Sequence, residues 1–455
     1  MLGAMTEGRE SRQILLFTLP LIGGNLLQQL YSVVDGMVVG NFVSEDALSS
    51  VGTCSPLILL LIALAFGMST GCSVVAAQYF GAKEYDALRR AVSTALLLMT
   101  GLGLALTVLG ILFSRPLLAG LLGAPEESLD RALLYFRICC LGQVFQFIYN
   151  ITAATLRAVG DSRATLYFLL VASVANVVLD LLFVAVFRWD VAGAAAATVL
   201  AQALSAVVSV RYMYRRHPLL RFTRAQLVWD GEMARLNLKI GVPSALQQSV
   251  ISFGHLGLQR VINSFGPALM GAFMAGMRLD SIIMLVPQSF CAGLSAFTGQ
   301  NLGAGRLDRV LRGQRAGMIL SVCICAVLSA LYWLCAGPLM AAFGLTGEGL
   351  ALGTSYAHFT APMMLIYAVY MSFAGVLRGA GDMVASVGIT LSSQVVRIGA
   401  AYVLVLCTPI GPEVAWLTMP FDFITALVVG YLRYRFGPWR QMGIVKRSKV
   451  QPDGE

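Results

Sequence analysis

Apolar stretches, each about 20 residues or more, alternate with short polar breaks along the whole chain. A helix crosses the ~30 Å hydrocarbon core of a bilayer in about 20 residues, so each stretch predicts one span. With Gly, Pro and charged residues as punctuation, the first spans lie near 14–40, 52–80, 92–113, 132–156, 164–187 and 191–214. After a basic interruption come 236–262, 268–299, 314–335, 353–377, 384–406 and 412–434. The pattern predicts an all-α polytopic membrane protein with twelve transmembrane helices.

The polar breaks differ in charge. Lys and Arg resist translocation and mark the cytoplasmic side. With the N-terminus inside, inside segments hold 25 of the 32 Lys and Arg, and outside loops hold three, Arg115, Arg131 and Arg188. Four more, Arg137, Arg260, Arg278 and Arg397, fall within spans. Both termini are expected in the cytoplasm of a cell that carries the protein in its plasma or inner membrane. The predicted parts are a cytoplasmic segment 1–13, a six-helix lobe 14–214, a basic linker 215–235, a second lobe 236–434 and a basic tail 435–455.

Composition narrows the class. The chain is 58% hydrophobic and only 12% charged, against roughly 25% charged in a soluble domain, so little of its surface meets water. The net charge of +9 is explained by the cytoplasmic loops, and no nucleic-acid partner is expected. The nine cysteines lie inside or at the edges of apolar segments, without a CxxC pair or a His-rich cluster. They read as small core residues, not as a disulfide frame or a zinc site. The mixed-charge N-terminus lacks a short apolar region with a cleavage site, so the first span is read as a retained anchor.

The halves repeat at an offset of 221–223. AQYFGAKEYDALRR (77–90) matches GQNLGAGRLDRVLR (299–312), TLRAVGD (155–161) matches VLRGAGD (376–382), Pro20 matches Pro243, and Pro116 matches Pro338. Six spans per repeat is an even number, so both halves enter the membrane in the same direction. Two six-helix bundles related by a pseudo-two-fold along the membrane normal follow. Duplicated lobes suit alternating access better than a simple pore.

Two short motifs imitate enzymes. Gly67-Met-Ser-Thr-Gly71 fits GxSxG, but a nucleophile elbow needs a strand-to-helix turn and this run lies in an apolar helix. Gly379-Ala-Gly381-Asp382 fits the GxGD of intramembrane aspartyl proteases. Its repeat partner is Ala158-Val-Gly160-Asp161, and both read as a helix end: Arg157 or Arg378 in the last turn, Gly as C-cap, Asp capping the next helix. No Gly-Lys dipeptide exists, so there is no P-loop to hydrolyse ATP. The chain is not expected to be an enzyme.

Polar groups within spans carry the chemistry, because a central Asp costs roughly 2.5–3.5 kcal/mol on insertion scales. Gln28, Tyr31 and Asp35 share one face of span 1. Asn176 and Asp180 lie at i, i+4 in span 5, and Thr198 and Gln202 repeat that spacing in the Ala-rich span 6. Tyr135 and Asn150 lie on roughly one side of span 4. Such a set can ligate Na⁺ through oxygen or hold a proton on a buried carboxylate; the bland alternative is helix-to-helix glue. In the second half Asp280 is two residues from Arg278, on a different face, and Asp422 is a partner for Arg397, so structural pairing is expected there.

Over essentially its full length the chain resembles the multidrug and toxic compound extrusion (MATE) family. LPLIGGNLLQQLYSVVDGMVVG (19–40), the AQYFGA/GQNLGA and LRAVGD/LRGAGD pairs, and NVVLD (176–180) followed by GAAAATVLAQ (193–202) carry the resemblance. It implies two six-helix bundles in a V around a central cavity, and antiport of lipophilic organic cations or drugs against inward H⁺ or Na⁺. No cofactor beyond the coupling ion, no partner beyond small substrates and membrane lipid, and a monomer are expected. Asp35, Asn176, Asp180 and Thr198 match the N-lobe cation cluster of the DinF-like branch. Gln28, Tyr31, Tyr135 and Asn150, with Gln202, match the surrounding cavity, and Phe253, Phe273 and Met277 are expected to line it. The NorM-like branch uses acids on its seventh and tenth helices, and Tyr367 stands about where the latter would be. The competing readings are a lipid-linked oligosaccharide flippase of the same superfamily and, from another class, an ion channel or membrane-embedded enzyme.

Overall fold

The structure, a computed structural model, describes residues 5–42, 45–123, 125–221, 227–263, 267–407 and 413–445, with the side chains of Asp35, Phe253 and Arg260 among those outside the description. The described residues form helices and no strand. In order these are α1 (Glu10–Phe42), α2 (Glu45–Gly81), α3 (Tyr85–Leu112), α4 (Glu126–Leu141), α5 (Gln143–Ala158), α6 (Ser162–Asp180), α7 (Asp190–Arg216) and α8 (Gly231–Asn263). They continue as α9 (Pro267–Gly303), α10 (Leu307–Leu334), α11 (Ala336–Ala342), α12 (Gly347–Ala380), α13 (Met383–Cys407), α14 (Val414–Leu417) and α15 (Met419–Phe436).

Among the described residues, ten helical stretches are long and apolar enough to cross a membrane. The other two expected spans fall on α8 and α15. They carry more charge: Glu232, Arg235 and Lys239 open α8, and the 18 residues of α15 include Asp422, Arg433 and Arg435. The span expected at 132–156 is two helices that meet at Gly142, whose N–H bonds the carbonyls of Cys139 and Cys140. Wide π-type turns, Pro116–Leu121 and Leu181–Val186, follow α3 and α6.

The described residues divide into two compact units, one within 19–73 and 89–249, the other within 5–18, 74–88 and 250–445. In the first unit α7 packs on α4, α5 and α6, and its buried Gly193, Ala194, Ala195 and Ala197 let the backbones come close. The GxSxG imitation is explained here. A Cβ on Gly67 would lie 2.4 Å from Ala245 Cα, and one on Gly71 2.4 Å from Gly241 N, so both glycines are seats for α8. Ser69 is 1% exposed and its hydroxyl donates to Ala65 O at 2.7 Å. It is a core serine.

In the second unit α12 packs on α9, α10 and α15 around Tyr356, Phe273 and Trp416, whose rings meet edge-on. The repeated GQNLGA-type segments meet there. A Cβ on Gly81 would stand 1.9 Å from Gln300 O, and one on Gly303 2.0 Å from Gln78 O. The contacts are reciprocal: Gly81 and Gly303, and likewise Gln78 and Gln300, are repeat equivalents 222 residues apart. Each glutamine is fully buried and also holds a terminal segment: Met5 N donates to Gln300 Oε1 at 2.8 Å, and Ile444 N to Gln78 Oε1 at 2.7 Å. Asn301, Arg306 and Arg309 bind further carbonyls of residues 5–8.

The GxGD imitations are helix ends, as expected. Gly160 and Gly381 take φ of +93° and +86°, the left-handed C-cap conformation. Asp161 caps α6, accepting from Ala164 N at 3.1 Å, and it also accepts from Tyr212 Oη at 3.1 Å and lies 2.9 Å from His217 Nε2. Asp382 instead binds the Arg433 guanidinium at 2.8 and 3.2 Å.

Two outcomes follow. Gly81→Ala or Gly303→Ala puts a methyl group into backbone, costing about 1–3 kcal/mol or more; thermal unfolding in detergent should show it, while Gly101→Ala, with open space around it, leaves the melt unchanged. Burial pushes the Asp161 carboxyl up, but His217, the Ala164 amide and Tyr212 outweigh it and hold it below its usual 3.8. A depressed carboxylate stabilises the fold above that usual value and loses the contribution as pH falls through the lowered one. Melts taken across the acid range should therefore fall for the wild type more than for Asp161→Asn.

Candidate cation-coupling site

In the first unit α1 approaches α6 at adjacent glycines: a Cβ on Gly24 would lie 3.1 Å from Leu169 Cδ1. Further along α1, Tyr31 faces the end of α6. There Asn176 and Asp180, one turn apart, are 2% and 0% exposed. The Asn176 amide is set with its nitrogen toward the neighbouring oxygens, the orientation that satisfies both of its ends. That nitrogen donates to Asp180 Oδ2 at 2.8 Å and to Tyr31 Oη at 2.6 Å, and its oxygen accepts from Thr198 N at 3.2 Å. One amide thus ties α1, α6 and α7 to a buried carboxylate. Thr198 donates its own hydroxyl to Ala194 O at 3.0 Å, leaving the oxygen lone pairs as its remaining capacity.

Asp180 is the last residue of α6, and the wide turn Leu181–Val186 starts immediately after it. A π-type turn shifts the side chains that follow and is frequent at functional positions. No residue in LLFVAV announces it. Within it Phe183 stacks on Trp189, just past the turn, with centroids 5.0 Å apart.

Four predicted residues are therefore placed together: Tyr31, Asn176, Asp180 and Thr198. Asp35 lies in α1, with its side chain outside the described residues. The others face elsewhere. Gln28 is exposed. Asn150 on α5 donates to Gln146 O at 2.8 Å within its own helix. Gln202, one turn beyond Thr198, lies against the α4–α5 break, where a Cβ on Gly142 would be 2.5 Å from its Oε1. Tyr135 packs beside Cys54, Phe136 and Cys140. Of the expected lining residues, Phe273 is 3% exposed in the core of the second unit. Tyr367 is buried in a second cluster of that unit, with Tyr370 and Phe423, and Gln288 Nε2 donates to its hydroxyl at 3.3 Å.

A buried carboxylate bonded to an amide, which is itself shared with a phenol and a threonine N–H, forms a polar cluster inside a helical membrane protein. Fold and site define a multi-pass membrane transporter, not an enzyme. The sequence model of the MatE family matches twice, over 20–182 and 243–403, so each half carries one copy. The Bacillus subtilis protein named "Probable multidrug resistance protein YpnP" is 30% identical over 96% of this chain and 97% of its own length. A second from that organism, "Probable multidrug resistance protein YoeA", is 28% identical over 96% of this chain and 95% of its own. A solved structure described as the outward-facing conformation of a multidrug resistance MATE family transporter superposes with a TM-score of 0.89 at 22% identity, over 96% of this chain and 97% of that one. The chain belongs to the MatE family.

Replacing Asn176 tests the site as built. Asn176→Leu removes the donor shared by the buried Asp180 carboxylate and the Tyr31 hydroxyl, and loss of a hydrogen bond to a buried polar group costs about 1–3 kcal/mol. Thermal unfolding should record that loss, while Asn150→Leu, which removes one bond within a helix, should shift the melt less.

Proposed function

We propose that the chain is a secondary antiporter of the DinF-like branch that exports lipophilic organic cations or drugs by alternating access, coupled to inward H⁺ or Na⁺. The observation that carries this is the buried Asp180 carboxylate tied through Asn176 to Tyr31 and Thr198, in a family whose two relatives above are named multidrug resistance proteins. Asp35, one turn beyond Tyr31 on α1, supplies a second carboxylate in this reading. Asp35, Asn176, Asp180 and Thr198 hold the coupling ion, and Gln28, Tyr31, Tyr135, Asn150 and Gln202 contact substrate on its way. α8 and α15 complete twelve spans, and the split of Lys and Arg favours cytoplasmic termini.

The coupling follows from charge. Two carboxylates in a low-dielectric site cannot both stay ionised at low cost, so the site takes up a cation when open to the outside. Antiport needs that cation to bind better to the state that has released substrate, since only differential affinity moves a conformational equilibrium. A flippase for a pyrophosphate-linked substrate would need free cations lining its path. Of the four Arg within spans, Arg137 donates to Ser114 Oγ at 2.9 Å, Arg397 is paired with Asp422 at 3.3 Å, Arg278 is exposed, and Arg260 lies outside the described side chains. The antiporter reading therefore stands ahead of it.

Asp180→Asn removes charge at nearly constant shape. Reconstituted into proteoliposomes with separate sodium and pH gradients, it should lose gradient-driven export of a lipophilic cation while keeping wild-type expression. Asp422→Asn breaks a buried ion pair and should lower the melting temperature more than it alters coupling. Full gradient-driven efflux by both Asp180→Asn and Asp35→Asn rejects the site.

A further inference from the structure

The two repeated helix ends hold their aspartates differently. In the second half Asp382 receives two bonds from the Arg433 guanidinium, at 2.8 and 3.2 Å. In the first half its repeat equivalent, Asp161, lies 221 residues earlier, and the position of Arg433 is taken by Tyr212, also 221 residues earlier. Tyr212 Oη still donates to the carboxylate, at 3.1 Å to Oδ2, but a phenol brings no positive charge. An imidazole stands in for the cation: His217 Nε2 lies 2.9 Å from the same Oδ2. A guanidinium is charged at every accessible pH, so a permanent pair in one half corresponds to a titratable one in the other.

Local structure delivers His217 to that place. It is the residue at which α7 stops, its N–H bonding Met213 O at 3.1 Å, and it opens the tight turn Pro218–Leu220. Gly437, which opens the matching turn Pro438–Gln441 of the second half, has no side chain to offer. Although it lies just past a span, His217 is 6% exposed. A carboxylate only accepts, so Nε2 carries the hydrogen in this contact, and Nδ1 is buried without a partner. The other charged and titratable groups around it are Tyr212 and Arg216 on α7, and Arg157 and Arg163, which flank Asp161 in the chain. From α3, Arg89 Nε donates to Leu219 O at 3.1 Å, and Arg221 donates to the carbonyls of Tyr214 and Arg215 at 2.6 and 3.2 Å. Among these groups Asp161 is the one carboxylate, so it is the group that a charge on the ring answers to.

We propose that Asp161, Tyr212 and His217 form a proton-sensitive latch on the passage between the two repeats, closed by a proton on the imidazole and loosened when that proton leaves. Residues 217–230 are the stretch that runs from α7 to α8. Its far end is tied to α3, where Val228 O accepts from Ser93 and Thr94 at 3.2 and 3.4 Å; its near end is tied through the latch. An imidazole changes charge between about pH 5 and 8. Below that range the contact is an ion pair, and above it a neutral hydrogen bond of roughly half the strength. At the acid extreme the pair lasts until pH falls through the Asp161 value, which lies below the usual 3.8. The latch is therefore tightest in the window between the two: an acid compartment stiffens the passage and an alkaline one frees it. Which side of the membrane supplies the proton rests on the topology proposed above; the latch itself does not.

The test is a pair of double-mutant cycles on the purified full-length protein in detergent, read as melting temperature. Asp161→Asn, His217→Gln and the two together give the coupling of the first pair; Asp382→Asn, Arg433→Gln and the two together give that of the second. The Asp161–His217 coupling should fall about twofold between about pH 5.5 and about pH 8.5, as a charged hydrogen bond becomes a neutral one. The Asp382–Arg433 coupling should stay constant over the same range. Tyr212→Arg in the His217→Gln background installs the cation of the second half and should restore the lost stability equally at both pH values. A first-half coupling that does not change with pH overturns the proposal, and so does an equal fall in both halves. If Asp161→Asn does not fold, the difference between wild type and His217→Gln decides, and a difference that is the same at both pH values overturns the latch. None of these readings depends on antiport, so failure of the Asp180 site leaves them unchanged.

Discussion

Lipid offers no hydrogen bonds, so a chain that crosses it must satisfy its polar groups from within. The backbone does this by forming helices. Many hydroxyls dissolve into the same solution: Ser69, Thr152, Thr198, Ser289 and Ser372 each donate to the carbonyl four residues earlier. A carboxylate has no such local escape, because it accepts bonds and its charge needs an opposite one. Asp280 and Asp422 therefore take their neighbours from other helices, while Asp180 is met by Asn176 of its own helix, an amide itself held by Tyr31 and Thr198 of two others. The amide of Asn176, the hydroxyls of Tyr356 and Thr360, and the guanidinium of Arg397 are those neighbours.

The same solvent explains the glycines. Apolar side chains gain nothing by leaving lipid for one another, so helix association relies on close approach at small residues. Gly67 and Gly71 seat α8, and Gly81 and Gly303 seat the crossing of α2 and α9. At that crossing the duplication becomes physical: each repeat contributes the glycine that the other repeat's carbonyl requires. Such reciprocity preserves AQYFGA and GQNLGA as similar words without any catalytic demand.

How much of this was legible depends on what sets each feature. The helices were legible because lipid forces them, and the positions of Asn176 and Asp180 because an i, i+4 pair of polar residues in an apolar run shares one face. The spans expected on α8 and α15 carry charge within the helix, so hydropathy speaks for them less strongly than for the other ten. The break at Gly142 and the wide turn after Asp180 were not legible, since both are decided by what packs on them. Gln202 illustrates the limit. Its spacing from Thr198 places it on nearly the same face, but its side chain turns toward the gap left by Gly142 instead of toward Asn176. The neighbours of Asp280 (Tyr332, Tyr356, Thr360 and Arg397) lie 52 to 117 residues away, on helices whose rotation no periodicity fixes, while Arg278 close by misdirects.

The two halves began as one sequence, so their differences show what each has been asked to do. A guanidinium is charged at every accessible pH and cannot leave. Placed at the register of Asn176, Arg397 gives Asp422 a permanent counter-ion, and that pair cannot respond to a gradient. Asn176 carries no charge: it donates to Asp180 and, unlike Arg397, supplies no counter-ion of its own; in the proposed antiport that neutralisation falls to an ion from solution. An exchangeable ion is the one that can report which side of a membrane a site faces, and a tethered ion can only hold the helices that report is passed through.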